Sequence, residues 1–320
     1  MITKEITYKI AFEKKSAALK EKQRKRDMLL SSAYASNKRL YEIDQELSEA
    51  GASLVITALS GDKAKIEDLR KRTEALNAQK NEILKNCAVE DIVYDCAVCK
   101  DTGYVSGKIC ECIKKEAAFV LAKELSKEMP LENSRFDNFD LKYYSDKKDE
   151  NGISPKKRMT SILKFCKEYV SSFNPETSKN ILFMGNPGLG KTHLTLAIVS
   201  GVIEKGYLPI YASAENLFSS ITAEKFSGEG RGTYESALNS DLLVIDDLGT
   251  EMATEFTKSA FYNIVNTRIL SGKPTIINTN LSMKEIEIKY SARISSRLIG
   301  NYEGNKFLGN DIRQQKLLNK

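Results

Sequence analysis

Eight residues, GNPGLGKT at positions 185–192, constrain this chain more than any other stretch. They satisfy the pattern GxxxxGK[ST] and stand between an apolar run, ILFM, and a helix-like segment, HLTLAIVSGVIEKG. Strand, glycine-rich loop and helix form the context in which that pattern binds phosphate. Gly185, Gly188 and Gly190 let the backbone curl around a phosphate and present its N–H groups, and the following helix adds the positive end of its dipole. Asn186, Pro187 and Leu189 complete the loop. Lys191 supplies a point charge to the outer phosphates and Thr192 a hydroxyl to magnesium. His193, the only histidine, adjoins the loop and is grouped with it by position. By itself it reads as an ordinary helix residue, because phosphoryl transfer needs no imidazole.

A second apolar run, LLVIDD, ends in paired carboxylates. Asp246 is placed to hold magnesium, directly or through water. Asp247 is placed to orient or deprotonate the attacking water, since phosphoryl transfer needs mainly positioning and charge neutralisation. A helix cap is the other reading of Asp247. The run PTIINTN ends at Asn280, whose amide suits a contact to the γ-phosphate or the lytic water. Beyond it SARISSRL puts Arg293 and Arg297 four apart on one helical face, and DIRQQ puts Arg313 near the end of the sequence. Arginine suits bidentate phosphate contact, and an exposed surface role is the alternative for each.

The runs ILFMG, LPIYAS, LLVID and PTIINT alternate with helical stretches, which predicts an α/β unit with a parallel sheet flanked by helices. Ahead of it the chain reads differently. From about residue 10 to 86 there is no proline, and Leu40, Ile43, Leu47, Ala50 and Leu54 are spaced 3, 4, 3, 4, while Leu69, Leu76 and Ile83 repeat every seven. That periodicity predicts packed helices, with SGD at 60–62 as the turn of a hairpin. The first thirty residues carry nine Lys and Arg against four Asp and Glu. The arm KEKQRKR suits phosphates, an acidic partner or simply solvent. The expected division is a mainly helical module over 1–128, an irregular linker with Pro130, SDKKDENG and Pro155 over 129–157, and the α/β domain over 158–320.

Cys96 and Cys99 form a CxxC pair and Cys110 and Cys112 a CxC pair, with Gly103 and Gly107 between them. Four thiolates so close in sequence predict a tetrahedral structural zinc site, with free or redox thiols as the alternative. Zinc would help a module of this size to fold. Cys87 and Cys166 lie outside the cluster. No apolar run approaches the roughly 20 residues of a bilayer span, and MITKEITYKI lacks the apolar core of a signal peptide. A cytoplasmic chain without a membrane partner is therefore expected, in which disulfides are disfavoured.

The order GNPGLGKTH, LLVIDDLG, a strand ending in TN, paired arginines and a late Arg resembles the AAA+ ATPases. The resemblance is to the bacterial replicative helicase loaders of the DnaC/DnaI kind and the related IstB transposition ATPases, and it covers about residues 160–320. It implies ATP as the nucleotide, and an ATP-bound oligomer in which one subunit completes its neighbour's site. Asn280 would be sensor 1, Arg297 the arginine finger acting in trans and Arg313 sensor 2. It also implies that Lys225, Phe226 and Arg231, in the segment after the second strand, face single-stranded DNA, a role their charge and aromaticity suit. The run from Tyr94 to Cys112 is similar to the cysteine signature ahead of the ATPase core in DnaI-like loaders. By the same resemblance the N-terminal module grips a hexameric helicase of the DnaB type, and hydrolysis times its release onto single-stranded DNA. Two other readings stand beside this one: an IstB-like regulator of a transposase, and a binding adaptor whose nucleotide site mainly stabilises its fold.

Overall fold

The computed structural model describes residues 4–60, 62–128, 131, 133–148, 152–227 and 232–318. Gly61, Pro130, Arg231 and part of the SDKKDENG run lie outside them. The chain divides into two compact units, one of residues 12–110 and one that joins the chain up to Ala11 with everything from Glu111 onward. Among the described residues no helix is long and apolar enough to cross a membrane.

The smaller unit is built on helices. Helix α1 (Lys4–Ser36) passes into it from the other unit, and α2 (Lys38–Ser60) and α3 (Lys63–Asn86) pair as a hairpin. Asp62 starts α3 by accepting a hydrogen bond from the Lys65 amide at 3.2 Å, the N-cap geometry expected of an aspartate. The seven-residue spacing finds its partners: Leu40, Ile43, Ala50 and Leu76 are buried, and Leu47, Leu54, Leu69 and Ile83 are half-buried. A polar cluster ties the helices together, because Asp44 on α2 accepts from Lys80 of α3 at 2.6 Å and from Tyr34 of α1 at 2.5 Å. A short antiparallel ribbon, β1 (Tyr104–Val105) with β2 (Lys108–Ile109), follows.

The larger unit is an α/β layer structure. Strands β3 (Asn180–Met184), β4 (Ile210–Ser213), β5 (Leu243–Leu248), β6 (Thr275–Thr279) and β7 (Tyr302–Lys306) form one sheet in the order β4-β5-β6-β3-β7, with every pair parallel. Helix α4 (Glu111–Glu128) belongs to this unit and packs against α6 (Lys191–Glu204). Its Ile113, Ala117, Ala118 and Leu121 are buried, which is why the division falls at Cys110 rather than at the polar stretch beyond residue 128. Helix α6 is buried on most of its circumference, as befits an almost wholly apolar helix.

The remaining helices are α5 (Pro155–Ser171), α7 (Ala214–Ser227), α8 (Thr233–Asn239), α9 (Glu255–Leu270), α10 (Met283–Lys289), α11 (Ala292–Asn301) and α12 (Ile312–Leu318). Strand β7 is absent from the sequence expectation. Its residues YEGNK are polar and include a glycine, as an edge strand tolerates. The consequence for function is topological: Gly185, Asp246 and Asn280 all stand at the carboxyl ends of the adjacent strands β3, β5 and β6, where open parallel sheets place their ligands.

Candidate nucleotide site and cysteine knuckle

The loop between β3 and α6 requires its glycines. Gly190 has φ of +87° and Gly185 of +145°. A Cβ at either would come within 2.8 Å of Phe139 Cε2 or of the Phe307 carbonyl oxygen, respectively. Lys191 Nζ turns back over the loop, donating to the carbonyls of Gly185 at 2.7 Å and Asn186 at 2.9 Å and to Asn280 Oδ1 at 2.7 Å. Burial lowers the Lys191 pKa, while Asp247 and Asp246 oppose that shift. All three ammonium protons are thus taken by the protein, and Lys191 lines the cleft beside the loop, where a phosphate would compete for them.

Asp246 is buried two residues before the end of β5 and Asp247, next to it, is exposed. The Asp246 carboxylate accepts from Asn278 Nδ2 at 2.6 Å, from the Asp247 amide at 3.0 Å and from the Tyr211 hydroxyl. Thr192 Oγ1 stands 3.4 Å from Asp246 Oδ1. Thr192 lines the cleft and Asp246 is buried behind it, and this pair of hard oxygens fits Mg2+, which takes few protein ligands and keeps several waters. Asp247 has φ of +53°, a left-handed conformation that aspartate tolerates better than most residues. Although the residue as a whole is exposed, its carboxyl lines the cleft with Lys191, and loss of solvent there and the neighbouring Asp246 charge raise its pKa.

The cleft holds about 420 Å3 and brings together Lys191, Thr192, Asp247, Asn280 and Arg313. Arg313 comes from α12, which is pinned to the loop by a hydrogen bond from the Ile312 amide to the Gly188 carbonyl at 3.0 Å. Arg297, half-buried on α11, and the exposed Arg293 do not line it. His193 Nε2 lies 2.8 Å from the Arg135 carbonyl oxygen. Burial lowers the His193 pKa, so the ring is neutral at pH 7 and acts as a tie between α6 and the preceding segment.

That segment is the main feature the sequence reading missed. The stretch 129–157 reads as linker, yet Asn138, Phe139, Tyr143 and Tyr144 line the cleft. Tyr144 donates its hydroxyl to the Leu189 carbonyl at 2.9 Å, and its ring stacks on Phe139 with centroids 5.7 Å apart. The only signal was aromatic density, FDNFDLKYY, inside otherwise polar text.

Residues 161–294 match the family described as IstB-like ATP binding protein. The replicative helicase loader DnaC of Buchnera aphidicola subsp. Baizongia pistaciae is 29% identical over 174 residues, covering 53% of this chain and 65% of that one. The replicative helicase loader DnaC of Escherichia coli K12 is 31% identical over 147 residues, covering 44% and 58%. In this region the chain resembles the DnaC- and IstB-type AAA+ ATPases. It spans less than two thirds of the length of either relative. Among solved structures, the DnaC helicase loader aligns with 24% identity and a TM-score of 0.47 over 56% of this chain and 99% of that one. The AMPPCP-bound DnaA of Aquifex aeolicus aligns with 24% identity and a TM-score of 0.46, over 58% and 55%.

Ahead of the matched residues in the sequence, the four cysteines come together. The Sγ atoms of Cys96, Cys99, Cys110 and Cys112 all lie within 4.8 Å of one another, those of Cys96 and Cys110 at 3.8 Å. Four sulfurs about 2.3 Å from a tetrahedral zinc stand about 3.8 Å apart, so the donor set fits that ion. The approach is shaped by left-handed residues, Lys100, Asp101, Gly103, Ser106 and Gly107, which turn the chain sharply around the thiols. Asp101 is buried and accepts from the amides of Asp95 and Cys96, each at 2.8 Å. Burial alone would raise its carboxyl, but those amides and Lys15 hold it below the usual carboxylate range.

Lys225 and Phe226 are exposed at the end of α7 and pack on the half-buried Phe256. The Lys225 ammonium is 4.4 Å from the Phe256 ring centre and 5.6 Å from that of Phe226, within cation–π range. Arg231, expected beside them, lies outside the described residues.

Proposed function

We propose that this protein is an ATP-dependent loader of the replicative DNA helicase onto single-stranded DNA, acting in replication initiation or restart. The observation that carries the reading is the convergence of Lys191, at the start of α6, with Asp246 and Asn280 beside the ends of β3, β5 and β6, in a region that is 29% and 31% identical to two proteins described as replicative helicase loaders. Magnesium is held by Thr192 and Asp246. Asp247 activates water, Asn280 senses the γ-phosphate and Arg313 closes the site from the same chain. Arg297, outside its own chain's cleft, reaches a neighbouring subunit in an ATP-bound assembly. Hydrolysis is the switch: ATP favours the assembled, DNA-bound form, and by linkage DNA must alter nucleotide affinity to the same extent.

In this reading the helical unit of residues 12–110, rather than the whole of 1–128, grips the hexameric helicase, zinc on the four cysteines holds the end of that unit in shape, and Lys225 with Phe226 receives single-stranded DNA. The family match over 161–294 favours a second reading, an IstB-like ATPase that assembles on DNA and directs a transposase. Native mass spectrometry of the full chain mixed with its host's replicative helicase separates the two. A stable complex with the helicase hexamer is the expected result. No such complex, together with ATP-dependent assembly on duplex DNA, would replace the loader reading with the second one. Loading that survives Lys191→Ala would leave only the adaptor.

A further inference from the structure

Strand β6 reads Thr-Ile-Ile-Asn-Thr and is buried at every position, so Asn278 puts an amide in the middle of the sheet with no access to water. A buried amide must be paired, because leaving either end unsatisfied costs its full desolvation. Both ends of Asn278 are paired, and with residues of the nucleotide site. Its Oδ1 accepts from Thr195 Oγ1 at 3.0 Å, and its Nδ2 donates to Asp246 Oδ1 at 2.6 Å. Thr195 is wholly buried, on α6 one turn beyond Lys191.

The chemistry of the chain of bonds is directional. A carboxylate only accepts, so the amide must turn its NH2 toward Asp246 and its carbonyl toward Thr195, and the Thr195 hydroxyl must donate. The accept-only carboxylate therefore sets which way the Asn278 amide faces, the Thr195 hydroxyl holds it there by donating to its carbonyl, and the held amide in turn restrains the rotation of the Asp246 carboxylate. On the other oxygen Tyr211 donates from β4. The carboxylate is thereby clamped between neighbours on both sides of β5, with the Asp247 amide also on Oδ1 and Thr192 Oγ1 3.4 Å from that same oxygen.

We propose that Asn278, held in place by Thr195, is a positioning residue for the magnesium site, keeping the Asp246 carboxylate in the rotation that meets the cation together with Thr192. The proposal rests on the reading of Asp246 and Thr192 as the magnesium ligands. An ordinary satisfied core amide would stabilise the fold without favouring one metal state of the site over the other. A positioning amide acts on the metal-bound state in particular, as outer-sphere partners of metal ligands do.

The test compares nucleotide binding with and without metal in the full-length protein. Dissociation constants for a fluorescent ATP analogue are measured in Mg2+ and in EDTA, and Mn2+ affinity of the nucleotide-loaded protein is followed by electron paramagnetic resonance. Thr195→Val keeps the shape of the side chain and removes its donor, and Thr195→Ser restores the donor. We expect Thr195→Val and Asn278→Leu each to weaken Mn2+ binding about tenfold and to shrink the ratio of the EDTA to the Mg2+ constants, with Thr195→Ser returning both towards the natural protein. A purely structural role would move the two nucleotide constants together and leave Mn2+ affinity alone, which overturns the proposal. So would a Thr195→Ser protein as impaired as Thr195→Val, a comparison that stands even if Asn278→Leu does not fold. If Asp246→Asn itself leaves Mn2+ affinity unchanged, it is the magnesium assignment that falls, and the proposal with it.

Discussion

Lys191 and Asp247 illustrate how closely the residues of the site are specified by what surrounds them. Lys191 is held by two loop carbonyls and Asn280, so Lys191→Ala removes both the charge meant for phosphate and the tie between β3 and β6. Nucleotide affinity should collapse in a direct binding titration. Asp247→Asn is expected to behave differently, keeping nucleotide affinity while turnover falls about 100-fold, because a water-activating carboxylate contributes to the chemical step. Retained turnover would reassign Asp247 to the loop conformation alone. The glycine loop and its lysine were legible because phosphate binding demands those residue types at those spacings. Asn278 was not: a single amide in an apolar run acquires meaning only when the fold supplies Thr195 on one side and Asp246 on the other. Tyr211 stayed hidden for the same reason, since β4 and β5 are neighbours only in space.

Between elements, the hairpin of α2 and α3 followed from its seven-residue repeat, because burying one stripe on each helix satisfies the pattern locally. Its polar clamp did not. Burial would raise Asp44, but hydrogen bonds from Lys80 and Tyr34 outweigh it and hold the carboxyl below its ordinary value of 3.8. A carboxylate depressed on folding stabilises the fold at pH values above its unfolded pKa. That contribution is lost as pH falls through the folded one. The pair is partly exposed, so screening limits it to less than about 1 kcal/mol. Asp44→Asn should lower the melting temperature at pH 7 and make no difference at pH 2, measured by circular dichroism. An equal loss at both pH values would point to packing rather than charge. The aromatic segment from Phe136 to Tyr144 went unrecognised because its elements are three-residue 3-10 turns, too short for any periodicity. Its order comes from contact with the phosphate loop. Strand β7 was missed for a related reason: an edge strand paired on one side needs no apolar alternation.

For the molecule as a whole, an α/β domain following helices and a cysteine cluster was readable from the alternation of apolar runs. The placing of α4 with the α/β unit was not, since α4 continues the helical composition before it. The cysteine knuckle is joined directly to α4, whose first turn contains Cys112, so zinc should stiffen the start of that helix. Elemental analysis is expected to find one zinc per chain, and chelation should open residues 94–112 to protease while leaving nucleotide binding intact. A full complement of reactive thiols in freshly purified, metal-free protein would argue for the redox alternative. The account as a whole turns on loading. Closed circular single-stranded DNA cannot thread a closed helicase ring, so helicase captured on such circles reports ring loading directly. The account predicts that the host's replicative helicase is captured only with this protein and ATP, and that Lys191→Ala abolishes capture. Capture independent of this protein, or unaffected by Lys191→Ala, would contradict it.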